Sequence, residues 1–455
     1  MRNSNGKAGT AIVVLTALIL VALVPWVFVI LNILGSEDNA GLFPAPTEEP
    51  EAVETEPPDD TEPEPEQTPP DPDEPNTDEA FEPVYDEDVY EISVSHPQLK
   101  TELNTSASLF NCAAASLVVF NAGTGEYFTY EYGRADVEAQ RKVNVDTKFR
   151  VASLSKLVTV ICTMVLVDEG LVDLDADISL YFGYEVRNSN YQDTPITARM
   201  LMQHTSSFFD SGAFQASRDR NSSEPVKFLI ERGSSFRRNQ PGTNYEYTNF
   251  GYAVLGALCE RVSGKTLDSF AREVLFEPLG IDAAYVPANL IDTDNIAVIY
   301  NERHTPIVSV QDQLDVGESD TPGYDLHLAQ GNLTISAVDY ARILAMLGNK
   351  GMLKGVRILS ADAVESIHEA DVQGPEYQQG LATRYSFGDF IPDEGFYWHT
   401  GSLHGTYAQY VYSEDMKRGV VIVTSGATVS RLTNGMIDVC TDMSLRALSE
   451  IKPEG

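Results

Sequence analysis

The sequence of 455 residues has few basic side chains, few cysteines and no familiar metal-binding pattern. It contains 31 Lys and Arg against 68 Asp and Glu, which gives a formal net charge of −37. Because no local basic patch offsets this charge, repulsion by phosphates excludes nucleic acid as a partner. The seven histidines form no H-E-x-x-H pattern and the four cysteines form no C-x-x-C pattern. We therefore expect neither a metal site nor a cofactor.

Basic residues are scarcest in the first fifth of the chain. Residues 1–99 contain 22 acidic and 2 basic residues, whereas residues 100–455 contain 46 and 29. Hydrophobic side chains make up 43% of the sequence and aromatic ones 9%, which is enough apolar material for a sizeable core. Wholesale disorder is therefore excluded, and the chain divides into an acidic N-terminal region and a globular remainder.

Residues 8–34 form a run of 27 residues without any charge. This length exceeds the roughly 20 residues that span a bilayer and the roughly 7–15 of a signal-peptide core. We expect a transmembrane helix, and the alternative is a long cleaved signal sequence. Arg2 and Lys7 precede the run, so the positive-inside rule predicts a cytoplasmic tail over residues 1–7 and a single-pass protein of the cell membrane. The rest of the chain is then extracytoplasmic.

Residues 35–99 are expected to be a disordered, acidic, proline-rich linker. Within them, residues 47–90 contain ten prolines and 19 Asp or Glu, with no Lys or Arg. Such a composition cannot bury a core. The linker either holds the globular head away from the membrane, within a cell wall, or serves only as a solubilising stalk.

The globular domain, residues 100–455, has strand patterns near both ends and a helix-rich middle. The predicted strands are residues 116–120, 126–132, 406–412 and 419–424. The first two enclose a Gly-containing turn, which predicts a hairpin. The apolar run 157–167, ended by Gly170, predicts a buried helix, and residues 429–451 predict a closing helix. This order favours an α+β layered domain over alternating βαβ units.

Ser153 and Lys156 lie three residues apart at the start of the predicted buried helix. At this spacing both side chains leave the same helix face, so the lysine amine can reach the serine hydroxyl. The helix N-terminus and an apolar wall both disfavour the ammonium form, so Lys156 can accept a proton and activate a serine nucleophile. About two chance S-x-x-K matches are expected in a chain this long, so other motifs must decide.

Two such motifs follow. Tyr247-Thr-Asn249 comes next along the chain, and His399-Thr400-Gly401-Ser402 lies near its end. With the S-x-x-K motif, they resemble the three signatures of the penicillin-recognising serine hydrolases, which are S-x-x-K, Y-x-N and K-T-G or H-T-G.

The domain as a whole resembles class C β-lactamase-related and DD-peptidase-like hydrolases over about residues 110–445. Residues 196–208 and 330–341 look like further segments of that family, although Ser207 stands where glycine is usual. The resemblance implies the β-lactamase/DD-peptidase fold. This is an α+β fold with an antiparallel sheet flanked by helices and a helical subdomain.

The same resemblance implies a role for each motif residue. Ser153 would attack a carbonyl to form an acyl-enzyme, with Lys156 and Tyr247 sharing the proton transfers. The backbone N–H groups of Ser153 and Ser402 would form the oxyanion hole. Asn249 would hold Lys156 and the substrate amide.

His399 and Thr400, followed by Gly401, would line the strand that faces the substrate, where a carboxylate is often recognised. His399 replaces the lysine typical of β-lactamases. A neutral imidazole binds a carboxylate less strongly than an ammonium does, so efficient penicillin hydrolysis is not expected. His204 and His404 are expected to be structural.

The sequence therefore predicts a membrane-anchored, extracytoplasmic serine hydrolase that acts on a small peptide or ester without a metal or cofactor. The favoured substrates are cell-wall peptides ending in D-amino acids, because the anchor and linker would place the site near a wall. An esterase or a weak β-lactamase on the same fold is one alternative. A non-catalytic receptor of the penicillin-binding type is another.

The four cysteines lie in a compartment that permits disulfides, and three pairings are possible. A Cys112–Cys440 pairing would join the two ends of the domain. Cys162, inside the predicted buried helix, is most simply a packed thiol.

Overall fold

A ten-stranded sheet runs through the computed structural model, which describes residues 92–122, 124–216, 225–432 and 434–450. The predicted tail, the transmembrane helix 8–34 and residues 35–91 of the predicted linker lie outside the described residues. Among the residues that are described, no helix combines the length and the apolar character needed to cross a bilayer.

The strands in chain order are β1 (Ile92–Ser93), β2 (Ala114–Asn121), β3 (Glu126–Asp136), β4 (Arg141–Lys142), β5 (Lys148–Arg150), β6 (Ile299–Tyr300), β7 (Pro306–Val308), β8 (Thr334–Ser336), β9 (Met352–Leu353), β10 (Val356–Arg357), β11 (Val372–Gln373), β12 (Gln378–Gln379), β13 (Arg384–Phe387), β14 (Gly395–Leu403), β15 (Thr406–Ser413) and β16 (Arg418–Ser425). The α-helices are α1 (Pro97–Leu109), α2 (Ser155–Asp168), α3 (Ser179–Phe182), α4 (Ala198–Met202), α5 (Gly212–Ala216), α6 (Pro225–Glu231), α7 (Asn249–Ser263), α8 (Leu267–Ala271), α9 (Val310–Leu314), α10 (Leu328–Gly331), α11 (Ala337–Gly348), α12 (Ala361–His368) and α13 (Asp438–Glu450).

The large sheet has the order β1-β3-β2-β16-β15-β14-β13-β12-β11, and β4 also pairs with β3. The short β1 runs parallel to β3, and the other pairings of this sheet are antiparallel. Separately, β5 pairs with β8, so the segment before Ser153 is fastened to the segment before α11. Within the large sheet, β2 from the start of the domain pairs with β16 from its end.

Both faces of the sheet are covered by helices. In β2, Leu117 and Val119 belong to a core that includes α1 and α13. Val118 and Phe120 belong to the opposite core, which includes α2, α7 and α11. Because side chains alternate along a strand, a strand buried on both faces is mostly apolar, and β2 and β16 are buried at every position. The predicted α+β domain with an antiparallel sheet flanked by helices is confirmed.

The predicted hairpin and buried helix are present with slightly wider bounds, as β2, β3 and α2. The predicted closing helix is wrong over residues 429–437, because α13 begins only at Asp438. The preceding residues form a turn in which Arg431 bridges Ile437 and Gly435 has a φ of +83°. A residue in this left-handed conformation interrupts helix geometry. Arg431, Asn434 and Gly435 instead line a cavity of the site described below.

The Cys112–Cys440 pairing considered above is not formed, since all four cysteines are free, buried thiols. Cys112 and Cys440 lie in the apolar core beside α1 and α13. Burial there raises the pKa of the Cys112 thiol to about 12, which keeps it protonated. Cys162 is packed in the other core, as predicted.

Candidate active site

Ser153 lies in a tight 3₁₀ turn, Ala152–Leu154, between β5 and α2. Ala152 has a φ of +50°, a left-handed conformation that costs energy for any residue with a Cβ. The turn is held from both sides: the Ser155 hydroxyl donates to the Ala152 carbonyl at 2.6 Å, and the Tyr340 hydroxyl donates to the Leu154 carbonyl at 2.9 Å. The position of Ser153 is therefore fixed by the surrounding core.

The Ser153 hydroxyl is in contact with two groups that can exchange protons with it. Lys156 Nζ lies 3.1 Å from Ser153 Oγ, and the Tyr247 hydroxyl lies 2.9 Å from the same atom. The structure thus brings together the three residues that the sequence predicts to be catalytic, although they are separated by up to 94 positions in the chain. This is the arrangement of a serine nucleophile with adjacent bases.

Lys156 is completely buried, and its amine has three acceptors. In addition to Ser153 Oγ, Nζ donates to Asn249 Oδ1 at 2.9 Å and to the Gln330 carbonyl at 2.8 Å. Burial lowers the pKa of Lys156, although the nearby Tyr247 and Asp210 oppose this shift. Lys156 therefore gives up a proton more readily than an exposed lysine does.

Tyr247 shares this environment. Burial by itself would raise the pKa of Tyr247, but the positive charges of Lys156 and Arg384 outweigh it and the net pKa is lowered. The His204 ring packs against the Tyr247 ring with centroids 4.4 Å apart. His204 Nδ1 also accepts the Thr248 backbone N–H at 3.2 Å, and burial keeps the imidazole neutral by lowering its pKa. His204 thus supports Tyr247, in keeping with the structural role expected for it.

Asn249 is the first residue of α7, and Thr248 caps that helix with its side chain. A second side chain, Asp210, accepts the Asn249 backbone N–H at 2.7 Å and the Phe250 backbone N–H at 2.9 Å. Asp210 Oδ2 also accepts from Asn249 Nδ2 at 2.7 Å. The predicted contact of Asn249 with Lys156 is present, one of the two amide N–H groups is bound by Asp210, and Asn249 lines both cavities described below.

The strand β14 brings the H-T-G-S motif alongside the Ser153 turn. A Cβ at Gly401 would lie 2.2 Å from the Val151 carbonyl oxygen, so only glycine permits this approach. Thr400 and Ser402 border the cavities described below. His399 does not: it is 1% exposed, its Nδ1 lies 2.8 Å from the Thr400 carbonyl, and burial lowers its pKa well below the usual value. His399 is therefore a neutral group behind the site wall.

Two cavities meet at Ser153, and both have Ser153, Asn249 and Ser402 in their walls. We call them cavity A and cavity B. Cavity A has a volume of about 430 Å³ and is lined further by residues of α5, α10, the segment 316–328 and the β14–β15 turn with His404. Cavity B has a volume of about 410 Å³ and is lined further by Tyr247, Pro375, Tyr377, Arg384, Thr400, Arg431, Asn434 and Gly435. A substrate can thus extend to both sides of the nucleophile.

Arg384 in cavity B is a candidate functional residue that the sequence motifs do not reveal. It lies at the start of β13, opposite Trp398 of β14, and is 7% exposed. Its guanidinium lies over the rings of Tyr377, Trp398 and Tyr247, at 4.7, 5.1 and 5.6 Å. Among the described residues it forms no ion pair, and its buried Nε has no hydrogen-bond partner. Only the strand pairing, which places it one strand away from His399, could have indicated it.

The described residues contain no group of three or more His, Cys, Asp or Glu placed to hold a metal ion. The chemistry available at Ser153 is therefore argued from its serine, lysine, tyrosine and arginine side chains.

The comparisons with known proteins agree with this geometry. A family model described as Beta-lactamase matches residues 104–437. Penicillin-binding protein 4 of Amycolatopsis lactamdurans is 25% identical over 324 residues, which are 68% of this chain and 78% of that protein. Lovastatin esterase of Penicillium rubens is 29% identical over 280 residues, which are 57% of this chain and 66% of that protein.

Among solved structures, a class C β-lactamase matches with a TM-score of 0.62 at 19% sequence identity. The match covers 80% of this chain and 100% of that one. At this identity the likeness concerns the fold, and the chemistry has to be argued from the residues around Ser153.

Proposed function

Because the chain belongs to the β-lactamase family of serine hydrolases, we propose that it cleaves a small amide or ester through an acyl-enzyme on Ser153. The observation that carries this proposal is the contact of Ser153 Oγ with both Lys156 Nζ and the Tyr247 hydroxyl. Retention of all three groups in hydrogen-bonding distance argues against a receptor that has lost turnover.

In the proposed reaction, Ser153 Oγ attacks the substrate carbonyl and its proton passes to the Lys156–Tyr247 pair. Backbone N–H groups of Ser153 and Ser402 stabilise the negative oxygen of the tetrahedral intermediate. The bond to the leaving group then breaks, and the pair returns the proton to the leaving nitrogen or oxygen. A water molecule repeats the sequence on the acyl-enzyme, which releases the acid and restores Ser153.

We propose that the leaving group carries a carboxylate, which lies in cavity B against Arg384. A buried guanidinium without a protein counterion is costly, and a carboxylate ligand would supply the missing hydrogen bonds. This cation takes the place of the lysine that His399 replaces in the H-T-G motif. A peptide ending in a D-amino acid, as in a cell wall, has a carboxylate at this position. A DD-carboxypeptidase or D-amino-acid peptidase activity is therefore our first choice.

An esterase is the second candidate. It is favoured by the neutral, buried state of His399, because an uncharged strand does not require an anionic substrate. The likeness to a lovastatin esterase points in the same direction. Weak hydrolysis of penicillins would be compatible with either candidate.

The test uses the purified full-length chain with three probes: a fluorescent penicillin, a chromogenic ester without a carboxylate, and a peptide ending in D-Ala-D-Ala. We expect release of D-Ala, with a loss of about 10³-fold or more in Ser153→Ala. Ser116→Ala, which changes a buried serine of β2 remote from the site, should keep full activity. Ser153-dependent turnover of the ester alone would replace the peptidase by the esterase. Absence of labelling and turnover with all three probes would contradict the enzyme.

We further propose that the hydrolase is anchored in the cell membrane by residues 8–34 and acts outside the cell, near the wall. This proposal is supported by the uncharged run of 27 residues and by the acidic, proline-rich composition that follows it.

A further inference from the structure

Asp210 lies beside the site and makes a set of hydrogen bonds that has one chemical consequence. Its Oδ1 accepts from the Thr248 hydroxyl at 3.0 Å and from the backbone N–H groups of Asn249 and Phe250. Its Oδ2 accepts from Asn249 Nδ2 at 2.7 Å. Every group facing this carboxylate is a donor, so the residue at position 210 must present acceptors on both sides.

This requirement fixes the orientation of the Asn249 side chain. An amide has a donor end and an acceptor end, and rotation by 180° exchanges them. Because Asp210 binds the donor end, Oδ1 is turned toward Lys156 Nζ, which it accepts at 2.9 Å. In the opposite orientation, the amide N–H₂ would face the lysine amine and a hydrogen bond to the ammonium would be lost.

We infer that Asp210 is a positioning residue, which holds the Asn249 amide in the orientation that keeps Lys156 beside Ser153. The inference rests on the proposed function, in which Lys156 exchanges a proton with Ser153. Asp210 lines neither cavity and does not contact Ser153, and it acts through Asn249, which lines both cavities. The position lies six residues after His204 and two residues beyond the segment 196–208 that resembles the family.

The environment of Lys156 gives this inference a distinctive readout. The charged and titratable groups around the amine are Tyr247, Tyr252, Asp210 and Arg384, together with the neutral His204 and His399. Of these, Tyr247 and Asp210 favour the ammonium form, and Asp210 does so both by its charge and through Asn249 Oδ1. Removing its charge should make Lys156 lose its proton at lower pH, which shifts the acidic limb of the rate profile.

The first variant is Asp210→Asn. Its Oδ1 can still accept from the helix N-terminus, but its N–H₂ would face Asn249 Nδ2, so the Asn249 amide must rotate. We expect kcat/KM to fall about tenfold or more and the acidic limb to move to lower pH by about one unit. The matched control is Asp268→Asn, which changes a buried carboxylate that likewise accepts two backbone N–H groups and an asparagine amide, from Asn289. The control should keep the wild-type limb.

The second variant exchanges the two groups, as Asp210→Asn with Asn249→Asp. Here the amide at 210 donates to the carboxylate at 249, whose other oxygen accepts from Lys156. The charge now lies next to the amine, so the acidic limb should move to higher pH, opposite to the single variant. Thermal melting checks that each variant is folded.

The outcomes distinguish a failure of the proposed function from a failure of the positioning role of Asp210. If Ser153→Ala retains activity, the proposed function itself is wrong. If Ser153→Ala is inactive but a folded Asp210→Asn keeps the wild-type pH profile, the positioning inference alone is overturned. Equal shifts in Asp210→Asn and Asp268→Asn would also overturn it, because they would indicate a general effect on the fold.

Discussion

At the scale of single residues, Arg384 is a buried charge with little compensation from the described part of the protein. It is 7% exposed and contacts three aromatic rings, but among the described residues it has no anionic partner. Aromatic faces attract a guanidinium by about 0.5–2 kcal/mol each, which does not offset the several kcal/mol needed to desolvate it. A buried charge that the protein leaves unpaired is expected where a ligand supplies the counterion.

Replacing Arg384 by methionine tests this interpretation, because methionine fits the aromatic surroundings without a charge. For a peptide with a free terminal carboxylate, kcat/KM should fall about 30- to 1000-fold, which corresponds to a loss of about 2–4 kcal/mol in transition-state binding. The same peptide with a terminal amide should lose much less. Both substrates are compared on the pH plateau, since loss of the Arg384 charge raises the pKa of Tyr247 and Lys156. Equal losses for the two peptides would contradict carboxylate recognition.

The residue scale also shows what a sequence can reveal about a site. Ser153 and Lys156 are three positions apart, and their contact follows from helix geometry alone. Asp210 and Arg384 have no such local signal. Asp210 depends on a cap formed across 39 positions, and Arg384 depends on the pairing of β13 with β14. Ser207 stands where the family usually has glycine, and its φ of +64° is the left-handed conformation that favours glycine. Its hydroxyl accepts a hydrogen bond from Asn188 Nδ2.

At the scale of elements, α7 connects the catalytic residues to the segment that borders cavity A. Its first residue is Asn249, and near its other end Glu260 Oε2 accepts the Gly323 backbone N–H at 2.8 Å. Gly323 has a φ of +74° and lies close to Val226 and Ala257, so the segment is tightly seated at this point. Residues on both sides of Gly323 line cavity A. Glu260 therefore fastens a wall of the site to the helix that carries Asn249.

The state of Glu260 predicts a pH dependence of stability. Burial raises the pKa of Glu260 to about 7, and the nearby Asp325 and Glu318 add to this shift. The folded protein thus keeps a proton that the unfolded chain loses near its ordinary pKa of about 4.5. Between about pH 4.5 and 7, this group should lower the free energy of unfolding by up to about 3 kcal/mol as the pH rises.

Denaturant unfolding of Glu260→Gln at several pH values measures this contribution, since glutamine does not titrate. We expect a flatter dependence of the unfolding free energy on pH than in the wild type. Glu277→Gln, at an exposed position shortly after α8, should leave the wild-type dependence unchanged. Identical slopes for Glu260→Gln and the wild type would show that the carboxylate is ionised in the folded protein.

Elements were predictable from the sequence where one local pattern decides them. The apolar run of α2 and the hairpin of β2 and β3 have strong patterns and are present. The helix predicted over residues 429–451 was cut short because the turn around Gly435, between Arg431 and Ile437, interrupts an otherwise plausible helix. The many two-residue strands at the sheet edge, such as β11 and β12, depend on pairing partners and carry almost no signal of their own.

At the scale of the whole molecule, the net charge of −37 divides between two regions with different uses. Residues 1–99 account for −20 and residues 100–455 for −17. The hydrolase domain is thus moderately acidic, and the site depends on a few local cations that contribute little to the total. The larger part of the charge belongs to the proposed linker. Most of the net charge therefore bears on the proposed tethering of the domain, and little of it bears on the reaction at Ser153.

The composition of that linker allows a sharp test of the proposed topology. No Lys or Arg occurs between Lys7 and Lys100, whereas residues 47–90 are rich in Glu. A Glu-specific protease added to intact cells should therefore release the domain, while trypsin should not, because Lys100 lies within the folded α1. Released protein should retain the Ser153-dependent activity. Protection from the Glu-specific protease until the cells are permeabilised would reverse the topology, and domain found in the medium without protease would indicate a cleaved signal sequence instead of an anchor.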